Sequence, residues 1–185
     1  MNAIVPVAAR HTAVALAQTQ IEEQTQYLTF MLGGETFAIG ILGIKEIIEY
    51  HGVTEVPMMP ACIRGVINLR GAVVPVLDLA ARFGKQSSEV SKKTCIVIVE
   101  VQSGVDRHDM GLVVDAVNAV LEIPASEIEP PPSFGARIRS DFIEGMGKVA
   151  GKFVILLNVN QVLSTEELGA LGQVPGSADG APAGS

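Results

Sequence analysis

Tryptophan is absent from this chain of 185 residues, aromatic residues make up only 4% of it, and it has just two cysteines. An apolar interior must therefore come from Val, Ile, Leu and Ala, and β-branched aliphatics favour pleated sheet over helix. Cys62 and Cys95 lack C-x-x-C spacing, which removes the usual redox and zinc motifs and leaves two buried free thiols of a reducing, cytoplasmic compartment as the expectation. Basic residues are also few. With 13 Lys and Arg against 20 Asp and Glu, the formal net charge is -7 and the pI about 4.9, so neither nucleic acid nor an anionic membrane is expected as the main partner. No apolar run approaches the roughly 20 residues of a membrane span, so no direct membrane insertion is expected. The longest candidate, Cys95 to Val101, is broken by Glu100. The Ala- and Val-rich stretch Val5 to Leu16 is split by Arg10 and His11 and follows no basic region, so it does not read as a signal peptide.

Catalytic signatures are missing too. Gly145-Met146-Gly147-Lys148 and Gly151-Lys152 superficially resemble a phosphate-binding loop, but Met146 and Phe153 stand where that loop needs Gly and Ser or Thr. Turn glycines of a hairpin account for them. His11, His51 and His108 are scattered, and Asp106-Arg107-His108-Asp109 reads as a polar loop tip, so neither metal nor cofactor is expected. No G-x-S-x-G elbow occurs. The competing reading, an enzyme or small-ligand carrier on a β-barrel, would need residues such as Asp115, Asp141 and Glu144 to converge in one cleft.

What is present is a dense series of short apolar runs, with 48% hydrophobic and 18% charged residues and a mean hydropathy of +0.38. Residues 1–24 have no sustained apolar face and read as a flexible arm. Gln26 to Leu32 and Glu35 to Ile39 alternate about Gly33-Gly34, a hairpin signature. Ile41 to Tyr50 reads as a helical turn followed by a strand. Val66 to Leu69 and Ala72 to Leu77 form a strand pair in which Pro75 favours an edge or bulge. Leu79 to Phe83 reads as one helical turn, and polar Gln86 to Lys93 as a loop between halves. Thr94 to Val101, Met110 to Val117 and Val120 to Ile123 are further strands. Pro124 to Phe134 has four prolines and reads as connective. Asp141 to Lys148 and Lys152 to Val159 can pair, Ser164 to Leu168 opens with a helix N-cap, and Gly172 to Ser185 reads as disordered. About ten short strands at this spacing indicate a mainly β protein, a barrel or sandwich with short helices.

The most informative segment is Ile63-Arg64-Gly65-Val66-Ile67-Asn68-Leu69-Arg70-Gly71. Gly65 and Gly71 suit structural turns or close backbone approach. Arg64 and Arg70, at the ends of an apolar run, are each either a fork on a nearby carboxylate or a handle for a partner.

Taken in order, Phe37-Ala38-Ile39, Ile44-Lys45-Glu46-Ile47-Ile48, the Arg64 to Leu79 block, Gly111 to Val117, Phe142 to Gly147 and Ile155 to Asn158 with Val162-Leu163 resemble the CheW family of chemotaxis coupling proteins. The resemblance spans residues 25–165. It implies two five-stranded SH3-like barrel lobes, approximately 26–85 and 93–163, with exchange of strands between them allowed, then a short helix and tail over 166–185. It also implies a non-catalytic adaptor that joins the cytoplasmic tip of chemoreceptors to the regulatory domain of a CheA-type histidine kinase in membrane-associated arrays. Glu46 and Arg70 match positions that would pair near the receptor groove. Ile44, Ile47 and Cys95 match its apolar surface, and Arg64 is left between a structural and an interface role. With no phosphoacceptor, ATP-binding or receiver domain fitting outside Tyr27 to Leu171, a stand-alone adaptor of either a flagellar or another chemosensory system is expected.

Overall fold

A computed structural model describes residues 26–87, 89–131 and 138–164. The arm over 1–24, the tail, and all but Ser164 of the expected C-terminal helix lie outside them.

The described residues form two sheets. In chain order the strands are β1 (Gln26–Leu32), β2 (Glu35–Gly40), β3 (Ile44–Glu49), β4 (Ile63–Leu69), β5 (Ala72–Asp78), β6 (Cys95–Ser103), β7 (Asp106–Val114), β8 (Ala116–Glu122), β9 (Ile128–Glu129), β10 (Ile143–Val149) and β11 (Lys152–Leu157). Sheet one has the order β8-β1-β2-β11-β10-β9 and sheet two β3-β6-β7-β5-β4. Sheet one thus takes the first two strands and the last four, while sheet two is built from the chain between them. Two single-turn helices, α1 (Leu79–Arg82) and α2 (Val159–Val162), follow β5 and β11 and are capped by Asp78 and Asn158.

Three tight turns share one geometry. Gly33-Gly34, Arg70-Gly71 and Ala150-Gly151 place both central residues at positive φ, the backbone whose twist suits two-residue hairpins. In Arg70 and Ala150 a non-glycine residue accepts that conformation, at about 1 kcal/mol each.

Sheet two curls until its edges meet. Thr54, beyond the end of β3, exchanges two backbone hydrogen bonds of 2.9 and 2.8 Å with Val66 on β4. Gly65 makes that approach possible, since a Cβ there would overlap the Thr54 carbonyl. It sits inside β4, where the register shifts between Ile63 and Gly65, rather than in a turn between strands. Gly71 does occupy a turn, its N–H donating to Asn68 Oδ1 at 2.8 Å.

The interior has three parts. Val74, Val76, Ile96, Ile98 and Val113 fill the inside of sheet two, and Tyr27, Ala38, Ile123, Val154 and Leu156 that of sheet one. The largest cluster lies between the sheets. It joins Leu28, Phe30, Phe37 and Ile39 of sheet one to Val97, Val99, Leu112 and Val114 of sheet two. A run of rings, Phe30, Phe37, Phe83 and Phe142, at centroid spacings of 6.1, 5.7 and 5.9 Å, crosses it. Hydrogen bonds fasten the same junction. Arg82 Nε donates to the Val162 carbonyl at 2.8 Å, and Asp115 Oδ2 accepts from Gly33 N at 2.8 Å.

Two local expectations change. Pro75 lies in β5, an interior strand by order, but β7 pairs with β5 only over Val76 to Asp78, so the proline occupies the stretch that needs no donor on that side. Asp106 to Asp109 is strand rather than loop tip, because β6 and β7 pair over nine positions and turn at Gly104-Val105. The Pro-rich segment also supplies the two-residue strand β9, paired with Met146 and Gly147.

The hairpins β4–β5 and β10–β11 repeat one plan. Ile63-Arg64-Gly65, Arg70-Gly71 and Leu77-Asp78 return 80 positions later as Ile143-Glu144-Gly145, Ala150-Gly151 and Leu157-Asn158. The bulge recurs between Ile143 and Gly145, and the bond from Asp78 N to the Cys62 carbonyl recurs from Asn158 N to the Phe142 carbonyl, both at 2.7 Å.

Candidate functional site

The candidate site is built on β3, an edge strand. An edge offers unpaired backbone groups and side chains to a partner, which is why it is either protected or used. Among the described residues its one paired strand is β6, with Ile44 opposite Val99, Ile47 opposite Val97 and Glu49 opposite Cys95. Directly opposed residues lie on one face of a sheet, and faces alternate along a strand. Ile44, Ile47 and Cys95 therefore share the face that packs toward the other sheet. Ile44 and Cys95 lie against the inter-sheet cluster, and Ile47 is 42% exposed at its open margin.

Cys95 is partly buried, its thiol donating to the Lys93 carbonyl at 3.3 Å. Burial pushes that thiol above the ordinary cysteine range and the Glu49 carboxylate adds to the shift, so it acts as a small apolar group. The half-buried Val117 side chain, on β8 of sheet one, packs on the same inter-sheet cluster. Val117 thus extends the apolar margin across the seam. Sequence reading placed it only within a strand, since alternation cannot tell which sheet a residue will border.

Glu46 stands opposite Ile98, on the other face of β3. A register shift between Ile44 and Glu46 carries its carboxylate to the rim, where the β4–β5 turn arrives from the far edge of the sheet. Arg70 Nη1 donates to Glu46 Oε1 at 2.9 Å and Nη2 to Oε2 at 2.8 Å, a two-pronged fork. The arginine is 77% exposed and the glutamate 24%. The five anticipated residues thus fall into two groups, an apolar margin and an ion pair on the opposite face of the same edge strand. Next to them Lys45 Nζ meets Asp109 Oδ1 at 2.8 Å.

Arg64 has a different environment. Its Nε donates to Asp78 Oδ2 at 2.9 Å and a terminal nitrogen to Tyr50 Oη at 3.3 Å, while the guanidinium stands 5.6 Å from the centre of the Tyr50 ring. Asp78 is fully buried and its other oxygen caps α1 through Ala81 N. Arg64 is therefore an internal lock, which settles the choice that sequence left open.

The carboxylates of the competing reading are dispersed. Asp115 holds the β1–β2 turn, Asp141 pairs with Arg139, and of the three only Glu144 lines a cleft, beside the start of β1 and the end of β11. Among the described residues no group of three His, Cys, Asp or Glu could hold a metal ion, and no helix is long and apolar enough to cross a membrane.

Comparison with known proteins agrees with this architecture. Residues 26–167 match the model of the CheW-like domain. The chain is 34% identical over 149 residues to the chemotaxis protein CheW of Klebsiella aerogenes, covering 80% of this chain and 87% of that one. It is 31% identical to the chemotaxis protein CheW of Bacillus subtilis, covering 80% and 92%, and 27% identical to protein FrzA of Myxococcus xanthus, covering 79% and 89%. The crystal structure of the scaffolding protein TtCheW from Thermoanaerobacter tengcongensis superposes with a TM-score of 0.68 at 34% identity, covering 75% of this chain and 87% of that one. With the two-sheet SH3-like fold, the ordered motifs and these relatives in agreement, the chain belongs to the CheW-like domain family.

Proposed function

We propose that this protein is a non-catalytic cytoplasmic adaptor that couples the cytoplasmic tip of chemoreceptors to the regulatory domain of a CheA-type histidine kinase in membrane-associated arrays. One observation carries the reading. An exposed edge strand presents an apolar margin, Ile44, Ile47 and Cys95, beside the Glu46–Arg70 fork, with the margin continuing across the seam to Val117. Relatives called chemotaxis protein CheW and a neighbour described as a scaffolding protein give the class of assembly.

A scaffold transmits signal only when it binds two receptor states differently, because a ligand shifts an equilibrium by its difference in affinity. The margin suits that task. A helical receptor tip laid along it buries Ile47, and a small rotation of that tip changes the contact with Ile44 and Cys95 first.

Reconstitution of receptor, kinase and this chain tests the proposal. Ile47→Asp places a charge on the margin without touching the buried layers, and it is expected to abolish receptor-dependent kinase activation while leaving the unfolding free energy within about 0.5 kcal/mol of the parent. Full activation by this variant would remove the margin from the receptor contact.

A further inference from the structure

The repeat of β4–β5 in β10–β11 invites comparison of equivalent sites in the two sheets. In sheet two the pair is Arg64 and Asp78, a cation on a buried carboxylate. In sheet one the same two positions hold Glu144 and Asn158. Asn158 keeps the capping half of the arrangement, Oδ1 accepting from Gln161 N at 3.3 Å as Asp78 Oδ1 does from Ala81 N at 3.3 Å. The other half has no counterpart. Charge is reversed at the arginine position, and Glu144 makes no hydrogen bond or ion pair among the described residues.

Where that contact is missing, the molecule has a cleft of about 830 Å³ between the start of β1, the Gly40 to Gly43 turn, β6 and the end of β11. Leu42, Val99 and Val159 contribute apolar wall, Asn160 is polar, and Glu100 and Glu144 carry charge; among the described residues no Lys, Arg or His lines it. Leu42 is 70% exposed at its edge. Solvent reaches Glu144 through the mouth, yet the walls displace enough water to push its carboxyl above the ordinary glutamate range. Glu100 has a distant partner in Arg107, 3.7 Å away. A cleft with apolar wall beside an exposed carboxylate that has no partner among the described residues matches a long side chain with an apolar stem and a cationic head.

We propose that this cleft receives an arginine side chain of a partner protein, its stem along the apolar wall and its guanidinium on Glu144. The partner thereby supplies in trans the cation that Arg64 supplies inside sheet two. Arginine fits better than lysine because its planar fork meets a carboxylate through two bonds. That the partner is a component of a signalling array rests on the adaptor reading; the arginine site does not.

The test is a titration of the isotope-labelled full chain with N-acetyl-arginine methylamide, followed by amide NMR shifts, with the uncharged N-acetyl-citrulline methylamide as control. Saturable shifts at Leu42, Gly43, Glu144 and Asn160 with the arginine probe alone are expected, weakened about tenfold or more by Glu144→Gln through loss of the charge-assisted fork. The double variant Glu144→Arg with Asn158→Asp rebuilds the sheet-two pair and is expected to remove the response. Equal response to the citrulline probe, persistence in Glu144→Gln or in the double variant, or no response at these amides overturns the proposal. A parent that binds the probe here but binds neither receptor nor kinase supports the site and sinks the adaptor reading alone.

Discussion

Arg70 and Glu46 meet through two parallel hydrogen bonds although they stand on opposite edges of sheet two, one in the β4–β5 turn and the other on β3. The contact exists because the sheet curls closed between Thr54 and Val66. At 77% exposure of the arginine, an ion pair of this kind adds at most about 1 kcal/mol to stability. The turn, meanwhile, would be more comfortable with glycine, since Arg70 has a φ of 51°. Stability therefore gives little reason for arginine at this position, and recognition of a partner gives a better one.

Replacing Arg70 by glycine separates these contributions. Arg70→Gly relieves the positive φ while deleting the fork, so thermal unfolding is expected to stay within about 1 kcal/mol of the parent, whereas kinase coupling is lost. Calorimetry and a coupled kinase assay on one preparation measure both. A large loss of stability would make the fork structural.

Arg64 is predicted to behave in the opposite way. Its partner Asp78 is fully buried, so Arg64→Met leaves an uncompensated interior carboxylate and is expected to cost about 3–5 kcal/mol in denaturant unfolding. A loss below about 1 kcal/mol would show that the pair is dispensable to the fold.

Gly65→Ala probes the closure of sheet two. The added methyl overlaps the Thr54 carbonyl, and that backbone has to retreat, at an expected cost of about 1–3 kcal/mol. Hydrogen exchange at the Thr54 and Val66 amides, which make the closing bonds, is the direct readout and is expected to accelerate.

Glu144 gives a pH signature. Its carboxyl titrates above its ordinary value in the folded chain, so the folded state holds that proton more tightly. Below the ordinary glutamate range the group costs nothing; stability falls as pH rises through that range to the folded value, and the loss is constant above it. Glu144→Gln is expected to remove this fall and to raise stability at pH 7 by less than about 1 kcal/mol, because solvent screens the group. Unfolding midpoints across acid pH, parent against variant, check it.

Much of this was legible in the chain itself. Alternation about Gly33-Gly34 located the first hairpin, and the spacing of Arg70, Gly71 and the flanking β-branched residues located the central one. Both signals are local, carried by residues that pair within one turn of each other. What was not legible is long-range. The face of β3 on which Ile47 and Glu46 fall depends on a bulge beside Lys45, and the identity of Arg64's partner depends on the strand turning back to bring Asp78 beneath it. Val117 belongs to the apolar margin only because β8 crosses to sheet one. The 80-residue repeat was readable, as Gly65, Gly71 and Asp78 against Gly145, Gly151 and Asn158, but reversal of charge at Arg64 and Glu144 and loss of Arg70 to Ala150 disguise it.

The adaptor claim is tested most directly by charge reversal across the fork in the receptor–kinase assembly. Glu46→Lys alone is predicted to abolish receptor-dependent kinase activation without unfolding the protein, and Glu46→Lys with Arg70→Glu to restore the contact and part of the activation. Parent-level activation by Glu46→Lys, or failure of the parent chain itself to bring receptor and kinase together, would contradict the account.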